Sequence, residues 1–204
     1  MLGMAEKVTE LMVQNEIVTG EDREIYVYGL NQGIILLVNI LTSLLLGFVF
    51  NKSIEVLVFL AAYIPLRSYA GGYHAKTPFR CYLISISMIL AVIFLTSINF
   101  WNELIIIAVT LISALVIAFL APVEDVNKTL DETERKVYKK RTREILIFVV
   151  GVSMIFRFTH QVRWEISISS ATWILVFMLV LQSLKIKCGC RANNNILPII
   201  KKHL

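Results

Sequence analysis

The chain has 204 residues, 57% of them hydrophobic and only 17% charged, with a mean hydropathy of +0.71 and a formal net charge of +5. Soluble domains carry about 25% charged residues, and here the apolar residues come in blocks rather than at amphipathic spacing. A soluble globular domain is therefore excluded, and an all-α polytopic membrane protein is expected, with a single domain over 1–204. Surplus Lys and Arg in such a chain belongs to cytoplasmic loops, so no nucleic-acid partner is expected and the lipid bilayer is.

Residues 1–30 contain Glu6, Glu10, Glu16, Glu21, Asp22 and Glu24 and lack a short apolar core behind basic residues, so no cleaved signal peptide is expected. Val8, Leu11 and Met12 recur at helical spacing among acids, which predicts an amphipathic helix lying at the interface inside a cytoplasmic segment, 1–30. Thr19-Gly20 reads as a break. Six spans of about 20 residues follow: 31–50, 53–69, 79–98, 102–121, 144–161 and 164–184. Glu55, Arg67 and Arg157 intrude on the second and fifth, each near an end where a charge reaches the interface at lower cost.

Six spans put both termini on one side. With that side cytoplasmic, only Lys52, Arg157 and Arg163 of the 20 Lys and Arg fall outside. This asymmetry sets the orientation: a multi-pass protein of a cell membrane, termini inside. The polar stretch 122–143 is expected to be a basic cytoplasmic loop. Within it Thr129 and Glu132 have capping-box spacing, so a helix with the basic face KVYKKRTR is expected to run from there into the fifth span. Lys139, Lys140, Arg141 and Arg143 in that face would suit an acidic peptide tail. Topology and contact with anionic lipid are the ordinary uses of such a run.

Chemistry concentrates in AGGYHAKTPFRCY, residues 70–82, inside a loop expected at 67–80. Gly71-Gly72 allows a sharp turn after the second span, which Pro65 is expected to kink or weaken. Thr77 then supplies a favoured N-cap and Pro78 a favoured first helical residue, so Cys81 should lie in the first turn of the third span. The positive end of a helix favours a thiolate, as do the neighbouring cations Arg80 and Arg67. His74, across the turn, could return as general base and later general acid. The bland alternative is a small core cysteine and a solvated loop histidine. Three cysteines, Cys81, Cys188 and Cys190, make no disulfide framework. Cys188-Gly189-Cys190 has no matching cluster elsewhere, so neither metal nor cofactor is expected.

The longer string RSYAGGYHAKTPFRC, residues 67–81, resembles the signature of the accessory gene regulator B (AgrB) family, membrane endopeptidases that process quorum-sensing peptide precursors. The resemblance rests on Arg67, Gly71, Gly72, His74, Ala75 and Cys81. It implies a His74–Cys81 dyad that cuts an AgrD-type precursor on the cytoplasmic side. Cys81 would form an acyl-enzyme, the C-terminal tail would leave, and a thiol within the substrate would close a thiolactone ring. It also implies a homodimer. The tetrahedral oxyanion needs donors. The backbone N–H groups of Phe79 to Cys81 are one expectation, and Arg67, as donor or as loop support, another. A peptide exporter and a non-catalytic membrane scaffold are the rival readings.

Overall fold

The computed structural model describes residues 2–72, 77–98, 101–123 and 131–200, and only the backbone of Leu2, Met4, Pro78 and 187–200. Among them are seven helices: α1 (Leu2–Gln14), α2 (Arg23–Val49), α3 (Ser53–Ala70), α4 (Pro78–Ser97), α5 (Glu103–Leu120), α6 (Glu132–Phe158) and α7 (Val162–Ile200). No strand occurs among the described residues. Five helices are long and apolar enough to cross a membrane: α2, α3, α4, α5 and α7 over 162–186.

The helix boundaries differ from the expected segments in three places. The first span starts earlier, because α2 begins at Arg23, so the N-terminal segment ends before residue 30. The expected loop 122–143 is helical from Glu132, and the expected loop 67–80 loses its ends to α3 and α4. The cap of α6 also shifts by two residues. Asp131, not Thr129, is the N-cap: its Oδ1 accepts from Glu132 N at 2.8 Å, and Glu134 Oε2 accepts from Asp131 N at 3.3 Å. Thr129 lies outside the described residues. Pro65 does not end α3, which continues to Ala70.

In a bilayer the outward side chains face lipid, so core helices stand out by how little surface they expose. Two-thirds (67%) of the apolar window of α7 is buried, against 11% for α2. The bundle is therefore built around α7, which packs on α3, α4, α5 and α6. Its buried Ile168, Ala171, Leu175 and Leu179 meet Phe59, Leu66 and Ala70 of α3 and Ile117 of α5 in one apolar core. Buried hydroxyls on these helices turn back to their own carbonyls, as Thr110 does to Ile106 at 2.8 Å, and Thr172 to Ser169 at 2.9 Å. Such bonds satisfy the hydroxyls without opening a polar path.

The two ends of the bundle differ. At one, α3 turns into α4. At the other, Lys52 pairs with the buried Glu55 at 3.5 Å and donates to Thr96 O at 3.3 Å. There too Arg157, at the end of α6, bonds Glu103 at 2.6 Å and lies 3.8 Å from Glu165, which is 1% exposed. Of the charges that intrude on the expected spans, Glu55 and Arg157 are thus gathered at this end and paired, whereas Arg67 lies at the other end, in the last turn of α3. Helix α6 reaches both ends, since its Tyr138 ring meets Tyr69 of α3 edge-on, centroids 5.6 Å apart. α1 lays Ala5 and Thr9 against the bundle and leaves Val8 and Leu11 exposed.

Candidate functional site

The turn between α3 and α4 carries the site residues, and both glycines are required by geometry. Gly71 has φ 78° and Gly72 φ 130°, a region L side chains avoid. At Gly71 space forbids a side chain as well, because a Cβ would collide with the backbone carbonyl oxygen of Val123, whereas a Cβ on Gly72 would displace the end of the Arg67 side chain. Val123 arrives from the segment after α5: its N–H donates to Ala70 O at 3.0 Å, making an isolated parallel bridge with Gly71. Arg67 folds over the turn from the last turn of α3 and donates to Gly71 O at 3.2 Å. The turn is clamped from both sides.

The start of α4 is as the sequence predicts. Thr77 is the N-cap, its Oγ1 accepting from Arg80 N at 3.4 Å, and Pro78 opens the helix. Cys81 follows in the first turn, its N–H donating to Thr77 O at 3.1 Å. Counting back in helical steps from the buried Thr96, Val92 and Ile89 leads through Ser85 to Cys81. Cys81 therefore continues the inward face of α4 where that face reaches the bundle end. It is half-buried, while Arg80 is exposed. The expected oxyanion donors need correcting. The N–H groups of Arg80 and Cys81 are both engaged by Thr77, which leaves Phe79 alone of the three without such a bond among the described residues.

His74 and Ala75 lie outside the described residues, as do the side chains of Cys188 and Cys190. Lys139, Lys140, Arg141 and Arg143 are all exposed on α6. Glu144 holds two of them, Arg141 at 3.4 Å and Lys140 at 3.9 Å. No group of His, Cys, Asp and Glu among the described residues could hold a metal ion. A cleft of ≈ 720 Å³ opens at the opposite end, lined by Asn51, Glu55, His160 and Arg163 among others, and no expected site residue borders it.

Two neighbours of the site were not legible in sequence. Tyr63 lies one turn before Arg67 on α3. Its ring stacks on Phe59, centroids 5.2 Å apart. Met178 of α7 backs the turn, its Cβ 3.5 Å from where a Cβ on Gly72 would sit. Neither has a local sequence signal, because each reaches the site through helix packing.

Comparison with known proteins places the chain in one family. The family model Accessory gene regulator B matches residues 5–186. An AgrB-like protein 2 of Clostridium perfringens (strain 13 / Type A) is 32% identical over 161 residues, 74% of this chain and 73% of that protein. An AgrB-like protein of Clostridium perfringens (strain SM101 / Type A) is 29% identical over the same shares. No solved structure matches the chain.

Proposed function

The chain belongs to the accessory gene regulator B family, and from that premise we propose that it is the membrane cysteine endopeptidase of an accessory gene regulator system, cutting an AgrD-type precursor with Cys81 as nucleophile. The observation that carries the proposal is the placement of Cys81. It sits on the inward face of α4, in the first turn, beside a glycine turn held by Arg67 and Val123.

The chemistry follows from that placement. The Cys81 thiol gives its proton to His74, and the sulfur attacks the carbonyl carbon at the end of the future signal segment. The carbonyl π pair moves to oxygen. Collapse reforms the carbonyl and breaks the C–N bond, and the departing amine takes the proton from His74. A thioester remains on Cys81. A thiol within the substrate gives its proton to the now neutral His74 and attacks the thioester, closing the ring, and Cys81 leaves as thiolate and takes that proton back. Water must lose this second competition. Apolar packing by Tyr63, Phe59 and Leu66 beside the site lowers water access, and a tethered thiol has a high effective concentration.

The reading also includes a sixth span. Tyr138 stands at the Cys81 end and Arg157 at the other, so this part of α6 extends about 28 Å at ~1.5 Å per residue, close to the ~30 Å hydrocarbon thickness. Both termini, the Cys81 turn and the basic start of α6 then face the cytoplasm. α1 lies at the interface with Val8 and Leu11 toward lipid. Lys139 and Arg143, which no described acid holds, are free to meet the acidic tail.

The test is purified protein with a matched precursor. Cys81→Ala is expected to bind the precursor and release no tail. Tail release at the native rate by that variant rules the peptidase out. An exporter would tolerate the substitution.

A further inference from the structure

At the end of the bundle away from Cys81, two short turns share one cleft. Between α2 and α3, Lys52 N–H donates to Gly47 O at 2.7 Å; between α6 and α7, Gln161 N–H donates to Phe156 O at 2.8 Å. Asn51 and His160, in these turns, have φ of 54° and 56°. Both residues line the cleft of ≈ 720 Å³, a size that suits a small ligand. Its walls are therefore set by backbone bonds before any ligand arrives.

Two lining groups call for a ligand. The side chain of Glu55 is only 9% exposed. Among the described residues its carboxylate bonds Lys52 alone, through Oε1 at 3.5 Å, and Lys52 is shared with Thr96 O at 3.3 Å. Oε2 is left to the cleft, although a buried carboxylate normally has its oxygens satisfied. Arg163 is exposed and pairs with no described carboxylate. It is the second residue of α7, where first-turn N–H groups and the helix dipole add to its charge. The cleft thus offers an acceptor in its depth and a cation at its mouth. A divalent metal ion needs several oxygen ligands, and no such group occurs among the described residues. An ammonium and a phosphate joined in one molecule match both groups. Depth in the bilayer selects that molecule. From Tyr138 to Arg157 α6 covers the hydrocarbon thickness, so His160 to Trp164, just beyond it, lie among the lipid headgroups. Phe48 and Ile54 of the lining are exposed apolar side chains that meet acyl chains, and Trp164 is of the type that settles at this level.

We infer that this cleft binds the headgroup of an amine-bearing phospholipid, its phosphodiester on Arg163 and its ammonium on Oε2 of Glu55, with the acyl chains running past Phe48 and Ile54. The ammonium completes the bonding of the buried carboxylate that Lys52 leaves half-met. The bound lipid ties the α2–α3 turn to the α6–α7 turn, so it stabilises the folded bundle by mass action. The site depends on α6 crossing the bilayer and not on the peptidase reading.

The test uses the full chain with Trp101→Phe and Trp173→Phe, so that Trp164 alone reports on the cleft. Its emission is titrated in detergent micelles with phosphatidylethanolamine or phosphatidylglycerol carrying brominated acyl chains, which quench tryptophan on contact. Phosphatidylethanolamine is expected to half-saturate the quenching at about 10-fold lower concentration, the worth of one hydrogen bond to a charged group. Glu55→Gln is expected to erase that preference, and Arg163→Ala to weaken both lipids by about 10-fold. Equal half-saturation by the two lipids with Glu55 and Arg163 intact overturns the inference, and so does undiminished binding by Arg163→Ala. Soluble phosphoethanolamine, which has no acyl chains, is expected not to relieve the quenching. Relief at a concentration equal to the lipid's assigns the cleft to a soluble ligand and overturns the lipid as occupant. If Glu55→Gln does not fold, the lipid preference and Arg163→Ala, at an exposed position, decide the matter. Maleimide access to Cys introduced at Arg163 in intact cells reads the sixth span by itself, so the two failures are told apart.

Discussion

Single residues fix the geometry at Cys81, and most of that geometry is local. A threonine before a proline specifies a helix start wherever it occurs, so the position of Cys81 in the first turn was legible. The glycine pair announced a turn for the same reason. What it turned against was not legible, because Val123 is some fifty residues away and reaches Gly71 only through the packing of α5. This gives a sharp residue-level prediction. Gly71→Ala must accommodate a positive φ and a Cβ against the Val123 carbonyl, a strain of about 1–3 kcal/mol. Tail release is expected to fall at least ~10-fold with helix content by circular dichroism unchanged. Gly29→Ala in α2, where nothing lies within 4 Å, is expected to leave cleavage at the native rate. Equal activity of the two variants would show that the clamp on the turn does not matter.

Among the elements, α6 departs furthest from its sequence-level outline. Two capping signals overlap at its start, Thr129 with Glu132 and Asp131 with Glu134. Spacing alone cannot rank them, and in the folded chain the carboxylate of Asp131 takes the N-cap. At its far end Arg157 reads in sequence as a charge opposing a span. Its partners are Glu103 and Glu165, on two other helices, so the compensation becomes visible only once α5, α6 and α7 are packed. With Arg157 paired, the charge count that separates α6 from the five apolar helices loses much of its force. Topology tests this directly. With the three native cysteines removed, Cys introduced at Arg163 is expected to react with a membrane-impermeant maleimide in intact cells. Cys introduced at Lys139 is expected to react only after permeabilisation. Equal labelling of both in intact cells would remove the sixth span.

The whole molecule divides its charge and its chemistry between two ends of one apolar bundle. An all-helical chain of long apolar segments and the family signature could be read from sequence, because hydropathy and a short motif are one-dimensional properties. The central place of α7 and the company of Tyr63 could not, since burial among equally apolar helices leaves no compositional trace. The division has a consequence for function. Under the proposed function, Cys81 on the inward face of α4 at the bundle end would be reached by a peptide at the membrane surface while packed rings and aliphatic side chains keep water scarce. The most direct measurement of this account is intact-mass analysis of the protein after incubation with a precursor whose own ring-forming cysteine is replaced by alanine. Without that thiol the acyl group has nowhere to go but slow hydrolysis. The expected result is an adduct of the N-terminal precursor fragment on the tryptic peptide containing Cys81, released by hydroxylamine. Stoichiometric tail release with Cys81 unmodified at every time point would contradict it.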